Sequence, residues 1–351
     1  MENQSQPLGM GVVKRVPAPE HFNLGTLTPA ANVPDVFMPS YNGVTPSYGI
    51  AIEMQDQQPA CGAHSGAEVI NILKGIERGS VVRVSPQYGW DLIKTIDGLS
   101  IESGTDIVSL MKSLTKGYCD FALLGNNVEE SLTAYADAGN MTNDMQLNAV
   151  NNQLSTAYAF TANPTMAQLK AAIFAHKAVV MCVEVGDEFW SPSWAEKDIL
   201  PLKTGRPIIS GHFITAYAYD TQYIYFYNHW SAAWGRAGIG YFAENYLSHV
   251  IDMAATVDLT QTFTFTRTLE IGMSGTDVGI LQMILKAENI PHAPNTTSYF
   301  GTVTKAAVTL LQQKYASQIL TPAGLVVGTG IAAAHTLAFL NAKYFTHSAK
   351  A

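Results

Sequence analysis

Gln55-Asp56-Gln57-Gln58-Pro59-Ala60-Cys61-Gly62-Ala63-His64-Ser65-Gly66-Ala67-Glu68-Val69-Ile70-Asn71-Ile72-Leu73 is the stretch on which the reading of this chain turns. Beyond Cys61, apolar residues recur at 63, 67, 69, 70 and 73, which is helical spacing. Cys61 then falls in the first turn, where the partial positive charge of a helix N-terminus favours a thiolate. Pro59 suits an extended entry into such a helix. An ordinary thiol is only slightly ionised at neutral pH, so a nucleophilic role also needs a base.

Two aromatic-rich segments supply that base. Gly211-His212-Phe213-Ile214-Thr215-Ala216-Tyr217-Ala218-Tyr219 alternates as a strand, with His212 near its start. Tyr223-Ile224-Tyr225-Phe226-Tyr227-Asn228-His229-Trp230 reads as a second strand and runs into Ser231-Ala232-Ala233-Trp234-Gly235-Arg236-Ala237-Gly238. His212 can take a proton from Cys61 and return it. Asn228 can accept the other ring N–H and orient the imidazole. Gln55 can offer its amide, with the Cys61 N–H, to the oxyanion of a tetrahedral intermediate. Trp230 would shield the His–Asn bond from water. Singly, each residue has a plainer reading: a small buried thiol, a core histidine, a turn asparagine. Their conjunction selects the catalytic one.

The order Gln, Cys, Gly-His and Asn-x-Trp-x-x-x-Trp-Gly-x-x-Gly resembles the papain-like (C1) cysteine peptidases over roughly residues 41–262. The resemblance implies an α+β, two-lobed fold, with a helical lobe and an antiparallel β-barrel-like lobe. It also implies peptide-bond hydrolysis through Cys61, His212 and Asn228, with Gln55 as oxyanion donor. The chain departs from the pattern at Gly62-Ala63-His64-Ser65, where relatives carry Trp-Ala-Phe-Ser, and at Asn228-His229-Trp230-Ser231, where they carry Asn-Ser-Trp-Gly. Asp56-Gln57-Gln58 stands for Asp-Gln-Gly, so a short deletion would pass the oxyanion role to Gln57. His64 and His229 read as structural or pocket residues. Neither has a metal-ligand partner at recognisable spacing, and no cofactor is implied. A bacteriocin-processing (C39-type) peptidase is the alternative of similar chemistry, although Asn228 and Trp234-Gly235 point away from it. A catalytically inactive wall-binding scaffold is the alternative of a different class.

Around these motifs the patterning predicts helices from Ser85-Pro86 to residue 95, over 107–114 and over Met166–His176, then an apolar strand over Ala178–Val185. Residues 126–153 are polar and Asn-rich and read as an irregular surface segment. Glu188-Phe189-Trp190-Ser191-Pro192-Ser193-Trp194 reads as an aromatic loop near the cleft or as core packing. Residues 1–40 form an extended N-terminal arm, too short for the large inhibitory pro-region of papain relatives, and serve either to cross the cleft or as a structural tail.

Near residue 263 the pattern changes. Leu269, Gly272, Gly275, Asp277, Val278, Leu281 and Gln282, then Phe300, Gly301, Thr304, Ala307, Val308 and Gln312, resemble the three-helix peptidoglycan-binding module over 267–345. Leu311 stands for the usual Phe and Ala333 for the usual Pro. Leu281, Leu285, Val308, Leu311 and Leu337 are its expected core, and Ser274 with Asp277 reads as a capping box. The resemblance implies peptidoglycan as a partner of this small all-α domain.

A chain of 351 residues has room for both domains. Apolar residues make up 47% and charged ones only 14%, so the chain is globular. Its net charge of −8 argues against nucleic acid or an anionic membrane as partner and leaves protein or peptide substrates. Three cysteines do not make a disulfide framework, and Cys119 and Cys182 read as buried thiols. No apolar run is long enough for a membrane span, and no signal peptide is visible. The wall-binding resemblance nevertheless implies an extracellular or cell-wall-associated protein.

Overall fold

Cys61–Arg78 forms α1, whose first three turns are buried on every side. Small residues make that possible. A Cβ on Gly62 would lie 2.6 Å from Thr105 Cγ2, and one on Gly66 would lie 2.5 Å from the Tyr118 hydroxyl. Each glycine costs a helix about 1 kcal/mol in propensity, and here close packing offsets it. This computed structural model describes residues 12–15, 24, 33–38, 51–155, 158–186, 210–256, 264–291 and 297–344. The expected aromatic loop Glu188–Trp194 and most of the N-terminal arm lie outside the described residues. The chain divides into two compact units, one of residues 1–16 and 28–256 and one of residues 17–27 and 257–351.

In the first unit, α2 (Pro86–Asp97) starts on Pro86 with the Ser85 hydroxyl capping the Tyr88 N–H. A two-residue strand, β2 (Thr105–Asp106), leads directly into α3 (Ile107–Leu114), and the Asp106 carboxylate caps the Val108 and Ser109 amides. Residues 126–153 are not irregular throughout, as their polarity suggests. Short helices at Leu132–Tyr135 and Asn143–Ala149 are nucleated by Ser131 and Thr142 caps. Local side-chain caps override weak apolar periodicity here.

The remainder of this unit is an antiparallel sheet with spatial order β3 (Tyr158–Ala162), β8 (Val250–Thr256), β4 (Val179–Val185), β5 (Ser210–Tyr219), β6 (Ile224–Tyr227) and β7 (Ile239–Phe242). Among the described residues it is an open sheet and not a closed barrel. Between β3 and β4, α4 (Met166–His176) opens with a reciprocal Thr165–Gln168 capping box. β4 and β5 are buried along nearly their whole length because both α1 and α4 pack against them. There Thr215 Oγ1 donates to the Ser65 carbonyl at 3.2 Å, and Gly62 abuts Phe213. The sheet therefore carries His212 to the flank of the helix that starts on Cys61.

The second unit contains α5 (Thr276–Ala287), α6 (Thr302–Lys314) and α7 (Ala334–Tyr344) among its described residues. The expected core leucines and Val308 are all buried. The expected Ser274–Asp277 capping box does not form: Gly275 is the N-cap and supplies no side chain. Asp277 instead pairs with Arg267 at 2.5 Å, because a guanidinium fork satisfies both carboxylate oxygens at once. No helix among the described residues is long and apolar enough to cross a membrane.

Candidate active site

Ala60, the N-cap of α1, has no side chain that could cap the first-turn amides. Those amides and the helix dipole favour negative charge at Cys61, the first helical residue. His212 is the third residue of β5, and its Nε2 lies 2.8 Å from Asn228 Oδ1. The same oxygen accepts the His229 N–H at 3.0 Å, which fixes the orientation of the asparagine amide. An acceptor at Nε2 puts a proton on that nitrogen, so in the neutral ring Nδ1 is the basic one.

The glycines of the Trp-Gly-x-x-Gly motif hold Asn228 in place. Gly235 and Gly238 adopt positive φ, and the Gly238 carbonyl turns back to accept the Asn228 N–H at 2.9 Å. A Cβ at Gly238 would come 2.5 Å from Ile52 Cγ1, a second reason for glycine there. Trp230 covers the His–Asn bond, its ring 4.9 Å from that of His212, and Trp234 packs edge-on against Trp230 at 6.0 Å. Burial, and then the neighbouring His229 ring, push His212 down to about 3, against the Asn228 bond that raises it. Burial and the His229 ring thus both favour the neutral imidazole.

Gln55 is buried and Gln57 exposed, on a turn in which Asp56 takes φ 47°. The Gln55 N–H donates to the His229 carbonyl at 2.9 Å, tying it to the Asn228 segment. Its side-chain Nε2 donates to the Gln58 carbonyl at 3.0 Å, which uses one of the two N–H groups of that amide. Cys61, Cys119 and Cys182 form no disulfide. Burial, and then Asp120, push the Cys119 thiol up to about 12, and burial holds Cys182 well above the usual thiol range.

Two residues that the sequence suggests are structural or pocket histidines cluster beside this site. His229 Nδ1 lies 2.9 Å from Glu68 Oε1, and its Nε2 lies 3.0 Å from the Phe213 carbonyl and 3.1 Å from Ser65 Oγ. The His64 ring is 5.5 Å from that of His229, and its Nε2 is 3.4 Å from the Tyr135 hydroxyl. Glu68 has no family motif to announce it. The available signal is its position seven residues after Cys61, on the same helical face.

The N-terminal arm also reaches this region. Val12–Val13 (β1) pairs in parallel with β2, Val12 opposite Thr105. On its other side a Cβ at Gly211 would meet Val12 Cβ at 2.8 Å. Val12 is thus held between Thr105, which packs on Gly62 beside Cys61, and Gly211, which precedes His212. Arg15 anchors the arm, with Nε 2.6 Å from Asp252 Oδ2 and Nη2 3.1 Å from Oδ1, both side chains nearly buried. Its guanidinium also lies 4.7 Å from the centre of the Phe160 ring. Lys14 reaches Glu184 at 3.0 Å in a largely exposed pair.

No family model and no curated protein matches the chain. Among solved structures it is similar to xylellain, a cysteine protease from Xylella fastidiosa, at 16% identity and a TM-score of 0.57, over 73% of this chain and 98% of that one. It is also similar to the procathepsin B S9 of Trypanosoma congolense, at 14% identity and a TM-score of 0.52, over 71% of this chain and 85% of the other. At these identities the likeness is one of architecture: the chain has the two-lobed fold of papain-like cysteine proteases.

Proposed function

We propose that this chain is a cysteine peptidase whose nucleophile is Cys61, whose general base and acid is His212, and whose orienting residue is Asn228. The observation that carries the reading is the His212–Asn228 bond, buried under Trp230 and set on the strand that packs against the helix starting on Cys61. In the reaction His212 Nδ1 takes the thiol proton as the sulfur attacks the scissile carbonyl, then delivers it to the leaving amine. The Cys61 N–H and the Gln55 side chain stabilise the oxyanion. Losing one such donor typically costs about 3 kcal/mol of transition-state stabilisation. Gln55 is favoured over Gln57 because it is buried at the helix entry.

Val12, held between Thr105 and Gly211, lies against both the Cys61 and the His212 elements, so in this reading substrate displaces the arm. Residues 267–345, within the second unit, supply binding to peptidoglycan and so place the enzyme at a bacterial cell wall, outside the cell. Tethering there raises its local concentration against wall-associated protein or peptide.

The test is intact mass after treatment with an epoxide selective for papain-type thiols, on the native chain, the urea-unfolded chain and Cys61→Ala. One adduct on the native chain alone supports the reading. No native adduct, even after the arm is removed, favours an inactive scaffold. Co-sedimentation of the full chain with purified peptidoglycan tests the wall partner, and a chain that stays in the supernatant refutes it.

A further inference from the structure

His229 and Glu68 have no part in the chemistry described so far, yet they join all of its elements. Cys61, Ser65 and Glu68 are spaced i, i+4, i+7 and so share one face of α1. His229 follows Asn228, and Phe213 follows His212. The buried His229 ring therefore binds the nucleophile helix through Ser65 and Glu68, the base strand through the Phe213 carbonyl, and the orienting asparagine through the chain itself.

Each ring nitrogen of His229 faces an oxygen placed to accept a proton. A backbone carbonyl only accepts, so Nε2, 3.0 Å from the Phe213 oxygen, carries a proton. Nδ1, 2.9 Å from Glu68 Oε1, is placed to donate a second proton to that carboxylate. We infer that His229 and Glu68 are an imidazolium–carboxylate pair that positions His212 and Asn228 against the Cys61 helix and places a fixed positive charge beside the reacting groups. The inference rests on the peptidase reading above.

The charge lies close enough to act. The His229 and His212 ring centroids are 5.7 Å apart, with the rings edge to face. The other titratable groups facing His229 are Glu68 and His64 on α1, and His64 in turn meets Tyr135. Burial, and then His229, hold His64 well below the usual histidine range, so it stays neutral and adds no second charge. The positive end of the pair faces His212. It therefore opposes a proton on that ring and favours a thiolate at Cys61. Cys61 and His212 titrate as a coupled pair, so the effect is read on the pair and not on either residue alone.

Two measurements on the full chain test this. In the nitrogen-15 spectrum of labelled histidines, His229, assigned by its absence from His229→Gln, should show two protonated ring nitrogens throughout pH 5 to 8. A neutral tautomer there would overturn the pair. The second measurement is the pH at which Cys61 becomes half-maximally reactive to iodoacetamide, a midpoint that does not depend on how often the arm opens. Glu68→Gln removes the carboxylate that holds the second proton on His229, so the ring loses its positive charge and the midpoint should rise by about one pH unit. Glu68→Asp, which keeps the charge, should restore most of the shift. A wild-type midpoint well below that of a free thiol but unchanged in Glu68→Gln would overturn the pair and leave the peptidase reading standing. A wild-type midpoint at the ordinary thiol value, about 8.5, would overturn the peptidase reading and with it this role. Should Glu68→Gln fail to fold, the wild-type nitrogen spectrum still decides the protonation.

Discussion

Replacing Arg15 with alanine should open the cleft. With the arm docked, Arg15 and Asp252 face each other through two hydrogen bonds, 2.6 and 3.1 Å, and both side chains are nearly buried. Arg15→Ala leaves Asp252 under the docked arm without its partner, whereas an undocked arm lets water reach the same carboxylate. The docked state alone is penalised. Stripping a buried charge of its partner costs about 3 kcal/mol at the lower end of the measured range. At about 1.4 kcal/mol per decade, that is roughly a 150-fold shift toward the open cleft. The readout is the second-order rate of Cys61 modification by a thiol-directed epoxide, followed by intact mass. Cys119 and Cys182, with their raised pKa values, serve as silent internal thiols. Lys14→Ala is the control: its pair with Glu184 is mostly exposed, so about 0.5 kcal/mol, or roughly twofold, is the most it should contribute. Equal rates for wild type, Arg15→Ala and Lys14→Ala would refute arm occlusion. Equal acceleration by both variants would refute the assignment of the anchor to Arg15.

Asn228→Ala should lower kcat by about ten- to a hundredfold with little change in KM, because it frees the His212 ring to rotate and does not touch substrate. A pure rise in KM in steady-state peptide hydrolysis would contradict that role. Burial holds the Asp91 carboxyl up at about 8, with Asp137 and Glu130 adding to the shift and Asn140 opposing it. Since its unfolded value is 3.8, the folded state binds this proton more tightly; the stabilisation is full below pH 4 and is lost as pH rises through 8. Asp91→Asn should therefore be more stable than wild type by about 4 kcal/mol at pH 7 and by less than about 1 kcal/mol at pH 4. Melting curves that keep a constant offset across that range would count against it. In the second unit, Gln282→Ala and Gln312→Ala should each cost about 1–3 kcal/mol, the penalty for leaving buried partners unsatisfied. Differential scanning calorimetry reads that loss, and an unchanged transition for this unit would show the glutamines to be dispensable.

The fold was legible at Cys61 and in the 211–230 region because those residues combine strong local pattern with chemistry that requires a fixed order. Short apolar helices and alternating strands announce themselves through periodicity, and α1, α4, β4 and β5 do so. The short helices within 126–153 did not, because their stability comes from Ser131 and Thr142 caps and not from an apolar stripe. The Ser274–Asp277 box failed for a related reason: a long-range partner, Arg267, competed for the carboxylate that a local cap would have used. Gln55 was legible as a residue type but not as a geometry, since its bonds to Gln58 and the His229 carbonyl depend on a turn that spacing alone does not fix. The His229–Glu68 contact links residues 161 apart in sequence, and no local pattern carries a pairing of that range.

The second unit shows how far a motif can identify a fold without identifying a ligand. Gln282 on α5 donates to the Tyr299 carbonyl at 2.9 Å and to Thr304 Oγ1 at 3.0 Å, and accepts the Ser298 N–H at 3.0 Å. Gln312 on α6 repeats the arrangement one helix later. It donates to the Ile331 carbonyl at 2.8 Å and to Thr336 Oγ1 at 2.9 Å, and accepts the Gly330 N–H at 3.0 Å. In each case a Leu-Gln pair, Leu281-Gln282 or Leu311-Gln312, buries the leucine in the core and clasps the turn that starts the next helix with the glutamine. A threonine in that next helix completes the clasp. The motif residues Leu281, Gln282, Thr304 and Gln312 are therefore explained by internal satisfaction of buried polar groups. Any wall-binding surface has to be sought among exposed side chains that these motif positions do not specify. Peptidoglycan binding by this unit accordingly stands or falls on the sedimentation experiment and not on the strength of the motif, because the same residues would be required of a module that binds nothing.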